Sequence, residues 1–171
     1  IGDVTSWLLS IGPQNNIKDE RVRNIVIERN HLTVGAGFRI AMLLNVTSTT
    51  VRNNIVDTSG SDVYLSVFDV TVRGIEPPPN DLHIYNNTIF SSTSGSELVI
   101  VTVGVGATNT VVKNNLAYYP GSWPGGVFVK DLGVNTVQDG NSSNVQMLTT
   151  NPLFVSYPPS APADYAVIPG S

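Results

Sequence analysis

The 171-residue chain contains no cysteine. That excludes a disulfide framework and thiolate metal ligation, and it leaves the redox compartment open. Charge is scarce as well: 13 % of residues are charged, and nine basic against thirteen acidic residues give a net charge of −4. Such a balance offers no electrostatic footprint for nucleic acid or for an anionic membrane surface. No apolar run reaches the length of a bilayer-crossing helix, so no membrane insertion is expected. No segment holds the i, i+3, i+4, i+7 spacing of an amphipathic helix, which argues against helical repeats. The two histidines, His31 and His83, stand apart, with no Ser or Cys nucleophile beside them and no metal triad in view. Both read as surface residues.

What the chain does have is a recurring phrase: an aliphatic residue, a variable residue, then two asparagines. It reads Val51-Arg52-Asn53-Asn54, Ile84-Tyr85-Asn86-Asn87 and Val112-Lys113-Asn114-Asn115. A looser copy, Ile27-Glu28-Arg29-Asn30, precedes them, and a decayed one, Val137-Gln138-Asp139-Gly140, follows. The steps between aliphatic positions are 24, 33, 28 and 25 residues. A repeat of this size in a chain rich in Val, Ile, Asn, Thr and Gly marks a solenoid. The runs before each phrase, such as Asn24-Ile25-Val26-Ile27 and Asn109-Thr110-Val111-Val112, are short, alternating and β-branched, so the repeat is built of strands. Asparagine tolerates the left-handed backbone region, so each pair marks a tight turn at the same corner. Stacked about 4.8 Å apart, Asn30, Asn54, Asn87 and Asn115 are expected to form a ladder in which each amide both donates and accepts.

A second set of strands follows the corners, including Phe38–Leu44, Val63–Phe68, Leu98–Val103 and Val127–Lys130. Alternation places Phe38, Ile40, Val63, Leu65, Leu98, Ile100, Val127 and Val129 inward, and Arg39, Tyr64, Val99 and Phe128 outward. An outward column that apolar needs a cover, and self-association through Tyr64, Val99 and Phe128 is one candidate. The 33-residue step carries its excess over Thr71–Asn80, where three consecutive prolines rule out a central strand and imply an outward excursion. Trp7 reads as core or cap. Residues 1–145 are read as repeat coils and 146–171 as a Pro-rich tail packing on or capping them. The Asn-x-Ser/Thr sequons fall at Asn45, Asn86 and Asn141.

These phrases, together with Asn151-Pro152-Leu153-Phe154 and the closing Asp164–Ser171, resemble the coils and ending of right-handed parallel β-helices of the pectate-lyase-like superfamily. The resemblance covers nearly the whole chain. It implies an all-β, right-handed parallel β-helix (β-solenoid) of about four to five coils, secreted or at the cell surface. It also implies the C-terminal coils of a longer protein. The family's members act on polysaccharides or serve as non-catalytic spikes. The paired-Asp, Gly-His-Gly and Arg-Ile-Lys motifs of its polygalacturonases are absent, as are the Asp clusters and Arg-x-Pro-x-x-Arg signature of its calcium-dependent lyases. Calcium remains possible but is not indicated, and neither a cofactor nor a metal site is expected.

Chemistry is best placed on the residues just before each corner: Glu28, Arg52, Tyr85, Lys113 and Gln138. They point outward and stack into a strip of cation, phenol and carboxylate. Such a strip suits a polyuronate, with Arg52 neutralising the sugar carboxylate, Lys113 or Tyr85 removing the C5 proton, and Glu28 orienting. The plainer reading of the same residues is a solvated face with Glu28 and Arg52 as a weak surface pair. The loop Tyr118-Tyr119-Pro120-Gly121-Ser122-Trp123 offers Tyr119 and Trp123 as a sugar-stacking platform, or alternatively covers a core edge. Hydrolysis needs two carboxylates about 5–9.5 Å apart, and Asp57, Asp62 and Asp69 are scattered. Two functions follow: a uronate lyase or epimerase acting on an acidic polysaccharide, or a scaffold such as an adhesin, tailspike or carbohydrate-binding module.

Overall fold

The structure, a computed structural model, describes residues 7–13, 19–61, 65–72, 74–91, 98–119, 127–141 and 161–166. Those residues are all-β apart from one short 3-10 helix, Pro162–Tyr165. The strands lie in three parallel sheets, which the chain visits in turn. The first stacks β1 (Trp7–Ile11), β5 (Ile40–Leu44), β8 (Leu65–Val70), β11 (Leu98–Val103) and β14 (Val127–Asp131). The second stacks β2 (Val22–Arg23) and β3 (Val26–Glu28) on β6 (Val46–Arg52), then β9 (Asn80–Tyr85), β12 (Thr108–Lys113) and β15 (Val137–Asp139). The third stacks β4 (His31–Thr33), β7 (Ile55–Asp57), β10 (Thr88–Phe90) and β13 (Leu116–Tyr118). Every pairing between strands is parallel and joins one circuit to the next, an arrangement compatible with a β-solenoid.

The corner between the second and third sheets carries the expected ladder. The backbone N–H and Nδ2 of Asn30 both donate to Asn54 Oδ1, at 3.1 and 3.0 Å. Asn54 donates in the same way to Asn87, and Asn87 to Asn115. From Asn54 onward each Nδ2 also reaches back to the carbonyl of the inward residue on the circuit before, Ile27, Val51 and Ile84 in turn. One side chain thus ties three circuits together and satisfies main-chain groups that the turn would leave unpaired in the interior. The residue before each ladder position has positive φ: Arg29, Asn53, Asn86 and Asn114 all lie between 52° and 58°.

The last copy of the phrase sits one residue later than its aliphatic anchor suggests. Val112 pairs with Gln138 and Lys113 with Asp139, so Val137 lies in the column of Val111. Gly140, at φ 59°, takes the left-handed position, and Asn141 is the fifth rung, accepting from Asn115 at 3.1 and 3.0 Å. A Cβ on Gly140 would collide with the Asn114 amide. The true ladder steps are therefore 24, 33, 28 and 26 residues. A second left-handed column, Asn24, Ser48, Asp81, Asn109 and Asn135, runs five residues before the first in every circuit. Ser48, Asp81 and Asn109 fall within β6, β9 and β12, while Asn24 separates β2 from β3 and Asn135 precedes β15.

The core lies between the sheets, with Ile27, Val51, Ile84 and Val112 stacked in one column and Val56, Ile89 and Ala117 in another. The first sheet departs from the inside/outside alternation expected of it. All five residues of β5 are buried, and Val99 (3 % exposed) and Phe128 (0 %) are covered within the chain itself. They are not available for the expected self-association; Tyr64 and Val63 lie outside the described residues. A strand covered on both faces reads as a continuous apolar run, and parity cannot sort it. The proline excursion is only partly outward: Ile75 is exposed, while Glu76 and Pro79 are buried before β9 begins. Trp7 sits on the edge strand β1, partly exposed. Among the sequons, the side chains of Asn45 and Asn141 are buried, which disfavours a glycan at either.

Two stability outcomes follow. Asn87→Ala strands the Asn54 donors and the buried Val51 carbonyl, so urea denaturation should show a loss of about 3 kcal/mol, whereas Asn30→Ala, at the exposed end rung, should cost about 1 kcal/mol or less. Equal losses at both sites would mean the ladder is not cooperative. Conversely, Arg29→Asn and Ser48→Asn place a residue that tolerates positive φ where Arg and Ser are strained. Each should raise stability by about 0.5–1 kcal/mol.

Candidate functional site

Because side chains alternate along each strand, the residue just before the left-handed corner faces outward on the second sheet. The register places Glu28, Arg52, Tyr85 and Lys113 side by side on successive strands, as the repeat implied, but the fifth member is Asp139 and not Gln138. Arg52 Nε donates to Glu28 Oε2 at 2.7 Å, and Arg52 Nη1 donates to Tyr85 Oη at 3.1 Å. One guanidinium thereby spans three strands. Hydrogen bonding to Tyr85, then to Glu28, pushes Arg52 above its ordinary value, so it is a cation at every accessible pH. Lys113 Nζ lies 3.7 Å from Asp139 Oδ2. The strip is partly exposed, with its two cations on either side of Tyr85 and a carboxylate at each end.

Two residues of this face were not assigned to it by the sequence. His83 pairs in register with Thr50 and Val111, two residues before Tyr85 on the same strand, so it shares the outward face. Its Nε2 lies 3.1 Å from Asp81 Oδ1. The sequence placed His83 on the surface, as its alternation with Tyr85 implies, but as an isolated histidine and not as a member of the strip. Asp139 was missed through the one-residue slip in the last copy.

The expected aromatic platform does not form around Tyr119. That side chain is 1 % exposed and belongs to the main core, so it closes a core edge and does not meet solvent. Trp123 lies outside the described residues. No group of three metal-capable side chains occurs among the described residues, and no helix among them is long and apolar enough to cross a membrane.

A different cluster stands on the outer face of the third sheet. Phe90 and Tyr118 neighbour each other in one outward column, with Ile55 and Leu116 in the column beside it. Tyr165, from the 3-10 helix near the C-terminus, packs its ring on them. Its centroid is 5.7 Å from Phe90 and 5.5 Å from His31, both edge-on. Tyr165 Oη donates to Asp57 Oδ2 at 2.9 Å. Burial, then the Asp57 carboxylate, pushes the phenol above the ordinary tyrosine range. No protein-family model, curated protein or solved structure matches this chain.

The phenol's displacement sets a pH dependence with a definite sign. Its folded value lies above the unfolded one, so its contribution is complete below about pH 10 and is lost as pH rises from there through the folded value. Urea unfolding followed across that window should show stability falling with alkali. Tyr165→Phe should remove the tyrosine part of the fall and lower stability at neutral pH by about 1–2 kcal/mol. An unchanged alkaline slope in the variant would show that the Asp57 contact is not formed in solution.

Proposed function

We propose that this chain is a section of a right-handed parallel β-helix of the pectate-lyase-like kind, from an extracellular polysaccharide-active protein. In this reading the outer face of its second sheet binds an acidic polysaccharide along Glu28, Arg52, Tyr85 and Lys113. The observation that carries the reading is the Arg52 guanidinium held between a carboxylate and a phenol, at 2.7 and 3.1 Å, on the partly exposed outer face of a sheet. Arginine presents a planar fork that matches a uronate carboxylate. The pair with Glu28 is solvent-screened and weak, so a substrate carboxylate can displace it at little cost. The Tyr85 ring offers an apolar face to a sugar ring beside that contact.

The same arrangement suits β-elimination. Arg52 would neutralise the uronate carboxylate and so acidify the C5 proton, and Tyr85 or Lys113 would accept that proton as base while Glu28 orients the guanidinium. The electron pair left at C5 would form the C4–C5 double bond as the C4–O glycosidic bond breaks, and the leaving oxygen would take a proton from the general acid or from water. This chemistry asks for no metal, because Arg52 supplies the positive charge. The non-catalytic reading, a binding module or stalk, draws on a specific observation of its own: both cations of the strip already have carboxylate neighbours in the chain, Glu28 and Asp139.

Affinity electrophoresis in alginate, pectate and glycosaminoglycan gels, run beside an ultraviolet assay for unsaturated uronate ends, separates these readings. Retardation by at least one acidic polysaccharide is expected, weakened about tenfold or more by Arg52→Ala, which removes a charge-assisted bidentate contact. If unsaturated ends appear and Tyr85→Phe or Lys113→Ala abolishes them without loss of retardation, the protein is a lyase and its base is located. Retardation without turnover leaves a binding surface. Migration indifferent to all of these polymers sinks the proposal and leaves a scaffold.

A further inference from the structure

The order of side chains along the second sheet is itself a charge pattern. On successive strands β3, β6, β9, β12 and β15 the outward residues are Glu28, Arg52, Tyr85, Lys113 and Asp139. That order runs carboxylate, cation, phenol, cation, carboxylate, and it is symmetric about Tyr85. Neighbouring strands lie about 4.8 Å apart, so Arg52 and Lys113 mark two anion positions about 10 Å from each other. The two are equally open, with side chains 40 % and 41 % exposed. Between them β9 presents rings: Tyr85, and two residues before it His83, whose neighbours in register are Thr50 and Val111.

A polysaccharide laid across the strands, along the stacking direction, advances by about one sugar per strand. A pyranose ring with its glycosidic oxygen is close to one strand spacing in length, so each strand meets one sugar. Arg52 and Lys113 each favour a carboxylate. The rings on β9 favour the apolar face of an uncharged sugar. Glu28 and Asp139 accept from sugar hydroxyls but repel an acidic group. From β3 to β15 the sheet therefore asks for neutral, acidic, neutral, acidic and neutral sugars.

We infer, on the basis of the polysaccharide reading above, that the strip selects an acidic polysaccharide in which every uronate alternates with an uncharged sugar. Two uronates lie at Arg52 and Lys113, and the sugar between them lies on Tyr85. A polymer of uronate alone sets further carboxylates against Glu28, Tyr85 and Asp139, where the facing side chain is acidic or a phenol.

The test is calorimetry on the full chain at low ionic strength, with polysaccharides of equal chain length. Hyaluronan, in which glucuronate alternates with N-acetylglucosamine, is compared with polygalacturonate and polymannuronate, in which every sugar is acidic. Hyaluronan should bind about fivefold more tightly per site, the worth of two exposed like-charge contacts avoided, although it carries half the charge. The preference should shrink as salt screens those contacts. Tyr85→Lys places a cation on the middle strand and should reverse the order in favour of the all-uronate polymers. Asp139→Asn should narrow the preference by about twofold. Asp19→Asn, at an exposed position before β2, changes the net charge equally outside the strip and should leave the preference where it was. The inference is overturned if an all-uronate polymer binds the unsubstituted chain as tightly as hyaluronan does. It is overturned equally if Tyr85→Lys leaves the order unchanged, or if Asp19→Asn moves the preference as far as Tyr85→Lys. The polysaccharide reading survives any of those results, whereas absence of binding to all three polymers sinks both.

Discussion

Everything described depends on one side-chain amide repeated at one corner. A parallel sheet pairs strands evenly, but its turns leave main-chain donors and carbonyls pointing along the stacking direction with nothing local to meet them. Asparagine at the ladder position answers both. Its Oδ1 takes two donors from the circuit before, and its Nδ2 returns to that circuit's inward carbonyl while also donating to the circuit after, as Asn54 and Asn87 do. Because each rung needs the next, a slip of one residue on any strand would break bonds on both sides of it. Register is fixed more firmly here than by burial alone.

That fixed register decides what the surface can present. Residues immediately before the left-handed position line the outside of the second sheet, and residues one and three beyond the ladder asparagine line the outside of the third. The strip of Glu28, Arg52, Tyr85, Lys113 and Asp139 and the cluster of Ile55, Asp57, Phe90, Leu116 and Tyr118 are thus two banks of the same corner. They differ in chemistry because one bank is charged and open while the other is aromatic and covered. Neither depends on long loops for its placement. Loop length varies freely between circuits, from a 24-residue step to one of 33, while the corner stays in phase.

Much of this was legible because the corner writes itself in residue type. The interior amide network demands Asn, and the position before it demands positive φ, so Asn-Asn pairs appear at matching places and Asn30, Asn54, Asn87 and Asn115 could be read directly. The second left-handed column escaped notice because its requirement is looser. Exposed positions five residues upstream accept Asn, Ser or Asp, and no single letter recurs. The last copy misled because Val137 mimics the aliphatic anchor, while the backbone needs were met by Gly140 and the amide by Asn141. On the first sheet, apolar residues on both faces erase the period-2 signal, so Val99 and Phe128 could not be assigned a side from parity. Tyr119 and Tyr165 make a complementary pair: neither letter tells whether its ring enters a core, as Tyr119 does, or reaches a partner 108 residues away, as Tyr165 does with Asp57.

The balance between binding and scaffold turns on what the internal ion pairs are worth. Arg52 is already satisfied by Glu28 and Tyr85, and Lys113 has Asp139 near it, so an incoming polyanion gains no unpaired charge. It exchanges one partner for another. In water such an exchange is close to neutral for a single exposed pair, and affinity must then come from repetition along the polymer and from ring stacking. A rigid strip with about 4.8 Å between strands favours that route, because simultaneous contacts require no reordering of the protein and each added contact is effectively intramolecular. The same reasoning makes single-sugar ligands weak on the second sheet. On the third, Tyr165 already supplies the ring and the hydroxyl, and its contacts with Phe90, His31 and Asp57 fill that face from within the chain. On the proposed reading the two banks of the corner therefore differ in kind: one offers repeated contacts to an extended chain, and the other is spent on the chain's own tyrosine.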